Sequence, residues 1–139
     1  MVIEYARNFL GLKDAQHAEY NPYTSNLFIS PLACSLVGRE MQLSFAPGSQ
    51  VAAIYASLSA KEHYYCNYGV NPDCIDTLKQ GRLKISGSDA EGEIRVIEYP
   101  RHPFFIGTLF VPQSRSTAKE PHPLVTAFLS AVVAAPANG

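Results

Sequence analysis

Apolar positions recur at helical spacing at the start of the chain. Val2, Ile3, Ala6, Phe9 and Leu10 fall on one face of a helix over residues 1–10, and Gly11 is its natural stop. Only Met1 precedes Val2, so no capping side chain opens this helix. Residues 12–26 are polar and turn-rich, with Asn21-Pro22 as a breaker. A short buried strand follows at 27–32, ended by Pro31. Met41, Leu43 and Phe45 alternate with polar residues, which predicts a strand with one buried face, and Pro47-Gly48 turns the chain. Residues 49–57 fit either a helical turn or a strand. Tyr64, Cys66 and Tyr68 alternate with Tyr65 and Asn67, which predicts another one-faced strand.

Asn71-Pro72-Asp73 predicts a helix start. Asn71 can cap, Pro72 suits the first helical position, and Asp73 meets the positive end of the helix. Gly81 ends that helix. Leu83 and Ile85 belong to a strand, residues 86–92 to a polar turn, and residues 94–99 to a returning strand. Residues 104–111 are nearly all apolar, as in a strand buried on both faces. Leu124, Val125, Phe128, Leu129, Val132 and Val133 form a helical stripe that starts near Pro123. Strands and helices are mixed, so the class is α/β or α+β. One domain spans residues 1–134, and 135–139 form a frayed tail.

Composition narrows the function classes. The chain has 139 residues, 47% of them hydrophobic and 17% charged, enough for one folded core and too apolar for disorder. Eleven basic and 12 acidic residues give a net charge of -1, without the basic excess of a phosphate-neutralising nucleic-acid binder. No apolar run spans a bilayer, and Glu4 and Arg7 interrupt the apolar start, so the expected location is cytoplasmic, away from membranes. Cys34, Cys66 and Cys74 are an odd set without a C-x-x-C pair and read as free thiols.

Candidate chemistry is sparse. His17, His63, His102 and His122 show no metal-ligand spacing and read as solvated or turn-stabilising, so neither a metal nor a cofactor is expected. Gly87 and Gly92 belong to the hairpin turn and cradle no phosphate. Cys66 lies among Tyr55, Tyr64, Tyr65 and Tyr68, with no cation beside it to lower its pKa, and reads as a packed cysteine.

Several runs carry a family resemblance. Val2-Ile3-Glu4-Tyr5-Ala6-Arg7-Asn8 with Leu10-Gly11 resembles the segment after the nucleophile elbow in the glutamine amidotransferase domain of CTP synthase. Asp14-Ala15 and Ala18-Glu19-Tyr20 continue the match. So do 62–71, 83–87, Val96-Ile97-Glu98, His102-Pro103-Phe104-Phe105, Phe110, Pro112 and His122-Pro123-Leu124, in the same order. The chain is most similar to stand-alone proteins related to the C-terminal part of CTP synthase, some with cysteine or selenocysteine as nucleophile. The resemblance implies an α/β fold of the class I glutamine amidotransferase (flavodoxin-like) kind, a sheet flanked by helices, here with its N-terminal strands missing. It implies thiol-dependent glutamine hydrolysis with a histidine base and a glutamate orienter.

On the matched positions, the triad does not carry over. The nucleophile precedes the segment matched by Val2-Ile3-Glu4, and the His-Pro-Glu motif appears as Val111-Pro112-Gln113. Val111 cannot accept a proton, and Gln113 cannot hold an imidazolium by charge. Glu19 matches the carboxylate that holds the substrate amine, Tyr68 matches a pocket tyrosine, and Asn67 replaces the arginine that pairs with the substrate carboxylate. That last change implies weaker binding of free glutamine, by about 1.5 to 3 kcal/mol. Three readings stay open. The chain is a catalytically silent amidotransferase-like domain, or part of an active amidotransferase or hydrolase with its nucleophile upstream, or a non-enzymatic binding or scaffold module. Glutamine or a related small amide, a synthetase, and a second copy joined at an open sheet edge are the partners implied.

Overall fold

The computed structural model describes residues 1–135. Among these residues four α-helices, α1 (Val2–Asn8), α2 (Gln50–Tyr55), α3 (Ile75–Lys79) and α4 (Pro123–Ala134), flank two sheets. The smaller sheet joins β1 (Gln16–His17), β2 (Leu27–Pro31) and β5 (Tyr68–Val70) in the order β1-β2-β5, with β1 parallel to β2. The larger joins β3 (Arg39–Phe45), β4 (Ser59–Tyr64), β6 (Lys84–Ser88), β7 (Ile94–Glu98) and β8 (Ile106–Thr108) in the order β4-β3-β6-β7-β8, all antiparallel. The α/β class read from the sequence is the one observed.

Two apolar clusters form the core, and β7 feeds both. Ile94 and Ile97 pack with Val2, Tyr5 and Ala6 of α1, Phe28 of β2 and Leu78 of α3. Val96 packs with Leu43 and Phe45 of β3, Val51 of α2, Tyr64 of β4 and Leu124 of α4. The approach of α3 to α1 requires a glycine: a Cβ on Gly81 would collide with the Tyr5 hydroxyl. That hydroxyl accepts the Leu83 N–H at 3.1 Å and also the Arg82 N–H.

Three buried carboxylates tie the elements of the larger sheet together. Glu98, at the end of β7, accepts the Gln50 and Val51 N–H groups at 3.1 and 3.3 Å, alongside the Ser49 hydroxyl that accepts from Ala52. Both acceptors satisfy orphan donors at the start of α2. Asp89 accepts the Glu91 and Glu93 N–H groups within the β6–β7 turn, at 3.1 and 2.9 Å, and pairs with Arg95 at 2.5 Å. The Arg95 guanidinium lies 5.8 Å from the Tyr64 ring centroid, a cation–π contact.

Glu62 of β4 is the third. Its Oε1 accepts the Tyr55 hydroxyl at 2.8 Å and faces His122 Nε2 at 3.1 Å. His122 Nδ1 accepts the Leu124 N–H at 3.2 Å and so caps α4. Because Nδ1 is an acceptor, the neutral ring carries its proton on Nε2, which donates to Glu62. One carboxylate therefore links β4, α2 and α4. Burial opposes its charge, but the His122 and Tyr55 hydrogen bonds and the nearby Arg115 leave its carboxyl below the ordinary value. Burial and the neighbouring Glu62 push the Tyr55 hydroxyl up.

Several elements differ from the sequence reading. On α1, Tyr5 is buried and Phe9 is 65% exposed, because the Tyr5 hydroxyl bonds the Arg82 and Leu83 amides. Residues 64–68 are not one strand: Tyr64 ends β4 in one sheet and Tyr68 opens β5 in the other. Tyr65 is exposed at this crossover. Residues 49–57 resolve into α2, closed by Ala56 in the left-handed region. Ser86, Gly87 and Ser88 belong to β6, and the turn is confined to residues 89–92. Strand β8 is half-buried and ends its sheet, rather than being covered on both faces. On α4 only Leu124 is buried; Phe128, Leu129, Val132 and Val133 are exposed. His122 is buried, not solvated. Of the tail 135–139, residues 136–139 lie outside the described residues.

Two stability measurements test these networks. The Glu62 carboxyl is depressed on folding, so its contribution is complete above the ordinary carboxylate range and fades as pH falls through the lowered value. Glu62→Gln is expected to lower urea-measured stability by about 2 kcal/mol at neutral pH, and the gap to the parent protein narrows on acidification. Asp89→Asn strands the buried Arg95 charge and is expected to cost about 3 to 5 kcal/mol. Adding Arg95→Met to that variant recovers most of the loss.

Candidate functional site

A cavity of about 330 Å³ opens where the start of α1 meets the two sheets. Met1, Ile29, Tyr68, Val70 and Gly107 are among its lining residues, and His17 reaches it from the end of β1. The parallel pairing of His17 with Ile29 sets the β1 backbone. The His17 and Tyr68 rings lie 5.0 Å apart, and Tyr20 meets His17 edge-on at 5.6 Å. His17 Nδ1 accepts the Glu19 N–H at 3.1 Å.

The sequence-predicted site residues do not converge here. Tyr68 lines this cavity; Glu19, Asn67, Val111 and Gln113 do not. Glu19 is exposed on the turn after β1. Asn67 is exposed at the crossover between the sheets, and its carbonyl accepts the Leu32 N–H at 2.9 Å. Val111 donates its N–H to the His63 carbonyl at 2.9 Å. Gln113 sits in the 3-10 turn Pro112–Arg115 and borders a different cavity of about 420 Å³, beside Phe128 and Leu129 of α4.

A third cavity, of about 380 Å³, is edged by Lys61, Glu62, Arg115 and His122. Composition hid the Tyr55–Glu62–His122 cluster, because its members come from three elements. The signal available was Pro-His-Pro at a helix start, where a histidine can cap. The cluster's His122 is committed to the fold through both ring nitrogens: Nδ1 accepts the cap and Nε2 donates to Glu62. Cys66 donates to the Leu109 carbonyl at 2.8 Å, and burial pushes the Cys74 thiol up. Among the described residues no group of three or more His, Cys, Asp or Glu could hold a metal ion, and no helix is long and apolar enough to cross a membrane.

No family model matches the sequence. Curated relatives do. The CTP synthase of Caldivirga maquilingensis is 37% identical over 143 residues, which cover 96% of this chain and 26% of that protein. The CTP synthase of Bifidobacterium longum is 33% identical over 149 residues, 96% of this chain and 27% of that protein. The chain thus spans little more than a quarter of these relatives' length. Among solved structures, the Trypanosoma brucei CTP synthase glutaminase domain with bound acivicin superposes with a TM-score of 0.87 at 26% identity, over 95% of this chain and 55% of that one. A GMP synthase component from Thermoplasma acidophilum shares the fold at a TM-score of 0.54 and 13% identity, over 76% of this chain and 48% of that one. Sequence and fold agree along nearly the whole chain: it belongs to the family of the CTP synthase glutamine amidotransferase domain, with the class I glutamine amidotransferase fold.

Proposed function

We propose that this chain is a CTP-synthase-related amidotransferase-like domain that binds a small amide and does not hydrolyse free glutamine with the residues it carries. The observation that supports this reading is the state of the positions matching the family's base and orienter. Val111 has no proton acceptor in its side chain, and Gln113 is uncharged, exposed and turned toward another cavity. A cysteine thiol needs a base to form the thiolate, and that base needs an orienter. The cavity beside α1, at about 330 Å³, is of a size that takes a small molecule, and Tyr68 contributes a polar group to an otherwise largely apolar wall. The synthetase named in the relatives is the partner class this reading carries.

The test is ammonia release from free glutamine. No release above that of a Glu19→Ala control is expected. Turnover that falls on Glu19→Ala or Gln113→Ala overturns the silent reading.

The same reading includes self-association at β8. Phe105 and Leu109 bond toward β7, through Tyr99 N–H to Phe105 O at 3.0 Å and Leu109 N–H to Arg95 O at 2.9 Å. By strand alternation, Ile106 and Thr108 turn their amides and carbonyls outward, where no strand pairs among the described residues. Light scattering is expected to show a dimer or larger species. Thr108→Pro removes an outward donor and shifts the species toward monomer. A monodisperse parent monomer counts against the association.

A further inference from the structure

The cavity beside α1 has one face of the β7–β8 pair as its floor. Ile97 lies opposite Gly107, and a Cβ on Gly107 would meet the side chains of Ile97 and Met1. By strand alternation Arg95 shares that face with Ile97, and both line the cavity. Arg95 is only 5% exposed. Its guanidinium is half used. Nε and Nη2 donate to Asp89 Oδ2 at 3.0 and 2.5 Å, and the Tyr64 ring lies under the guanidinium face. Nη1, turned away from Asp89, is buried and has no hydrogen-bond partner among the described residues. Arginine carries its N–H donors in a fixed fork, and a buried charged donor left unmet is costly. Asp89 does not absorb the whole of the arginine's capacity, because its other oxygen accepts the Glu91 and Glu93 N–H groups.

The other free groups on the wall donate as well. His17 Nδ1 accepts the Glu19 N–H at 3.1 Å, so the ring proton sits on Nε2. Among the described residues no hydrogen bond takes up His17 Nε2 or the Tyr68 hydroxyl, and both side chains line the cavity. Thr108 is spent on the Phe110 carbonyl at 2.9 Å. No Asp or Glu is among the lining residues. A wall rich in donors and free of acid calls for a group that only accepts. A carboxylate is such a group, and it meets a guanidinium through short, charge-assisted bonds. Resting on the reading of this cavity as the amidotransferase-like pocket, we propose that Arg95 is its specificity-determining residue. Nη1 donates to a carboxylate, so the small amide held here is one that also carries a carboxylate. The amide carbonyl falls to His17 and Tyr68, whose rings lie 5.0 Å apart.

The probes are glutaramate and pentanamide, two five-carbon primary amides that differ at the far end by a carboxylate against a methyl group. Each is titrated by NMR into the 139-residue protein, with the Val2 and Gly107 amides and the Arg95 Nε–H followed. Glutaramate is expected to bind more tightly by about ten-fold or more, and to shift the Arg95 Nε–H, which pentanamide leaves in place. Arg95→Met is made together with Asp89→Asn, so that no buried charge loses its partner. In this double variant glutaramate is expected to lose its advantage, with pentanamide bound about as tightly as by the parent. A circular dichroism spectrum matching the parent's establishes that the variant is folded; if it is not, the Arg95 Nε–H shift in the parent decides. Equal affinities in the parent, an Arg95 Nε–H unmoved by bound glutaramate, or an advantage kept by the folded double variant overturns the role of Arg95 while leaving the pocket reading intact. Absence of any shift with either probe overturns both.

Discussion

The buried carboxylate of Glu62 is the constraint around which the larger sheet is organised. A lone ionised carboxylate in an interior is costly, so every group that touches it must donate. Tyr55 donates from α2 and His122 from the start of α4, and those demands fix where the two helices sit. His122 can serve Glu62 through Nε2 because its Nδ1 is occupied by the Leu124 N–H. Removal of any member therefore exposes the needs of the other two, which is why the cluster acts as a unit.

Asp89 and Glu98 extend the same logic. In a chain with 17% charged residues, three acids are committed to the interior, each at a junction between elements. Glu98 meets a helix start, Asp89 a turn and an arginine, and Glu62 two helices. None faces the cavity beside α1. Much of the polar chemistry of the molecule is thus spent on holding the fold, and the polar side chains at the candidate pocket are those of His17, Tyr68, Arg95 and Thr108.

Much of the architecture was legible because it rests on local rules. The Asn71-Pro72-Asp73 start, the hairpin between β6 and β7, and the one-faced β3 each follow from a short pattern. What escaped were features set at a distance. Alternation over Tyr64, Cys66 and Tyr68 could not show that the chain changes sheets between them. The stripe on α4 predicted a buried face, yet only Leu124 among its apolar residues is buried. The site was less legible than the fold. Family matching drew attention to Glu19, Asn67, Tyr68, Val111 and Gln113, and of these the cavity takes in Tyr68 alone, together with His17. His17 carried no motif, and its relevance depends on the parallel pairing of β1 with β2, a contact across a turn-rich loop.

The anchoring of α4 at one end has a consequence for how the helix breathes. Its first turn is held by the His122 cap and the burial of Leu124, and Phe128 still meets the Phe104 ring, while Leu129, Val132 and Val133 stand mostly in solvent. Helices held by few tertiary contacts open locally at small cost. Amide exchange along α4 should therefore run as a gradient, slow beside His122 and fast toward Ala134, so that a single helix contains both some of the better protected and some of the least protected amides of the domain.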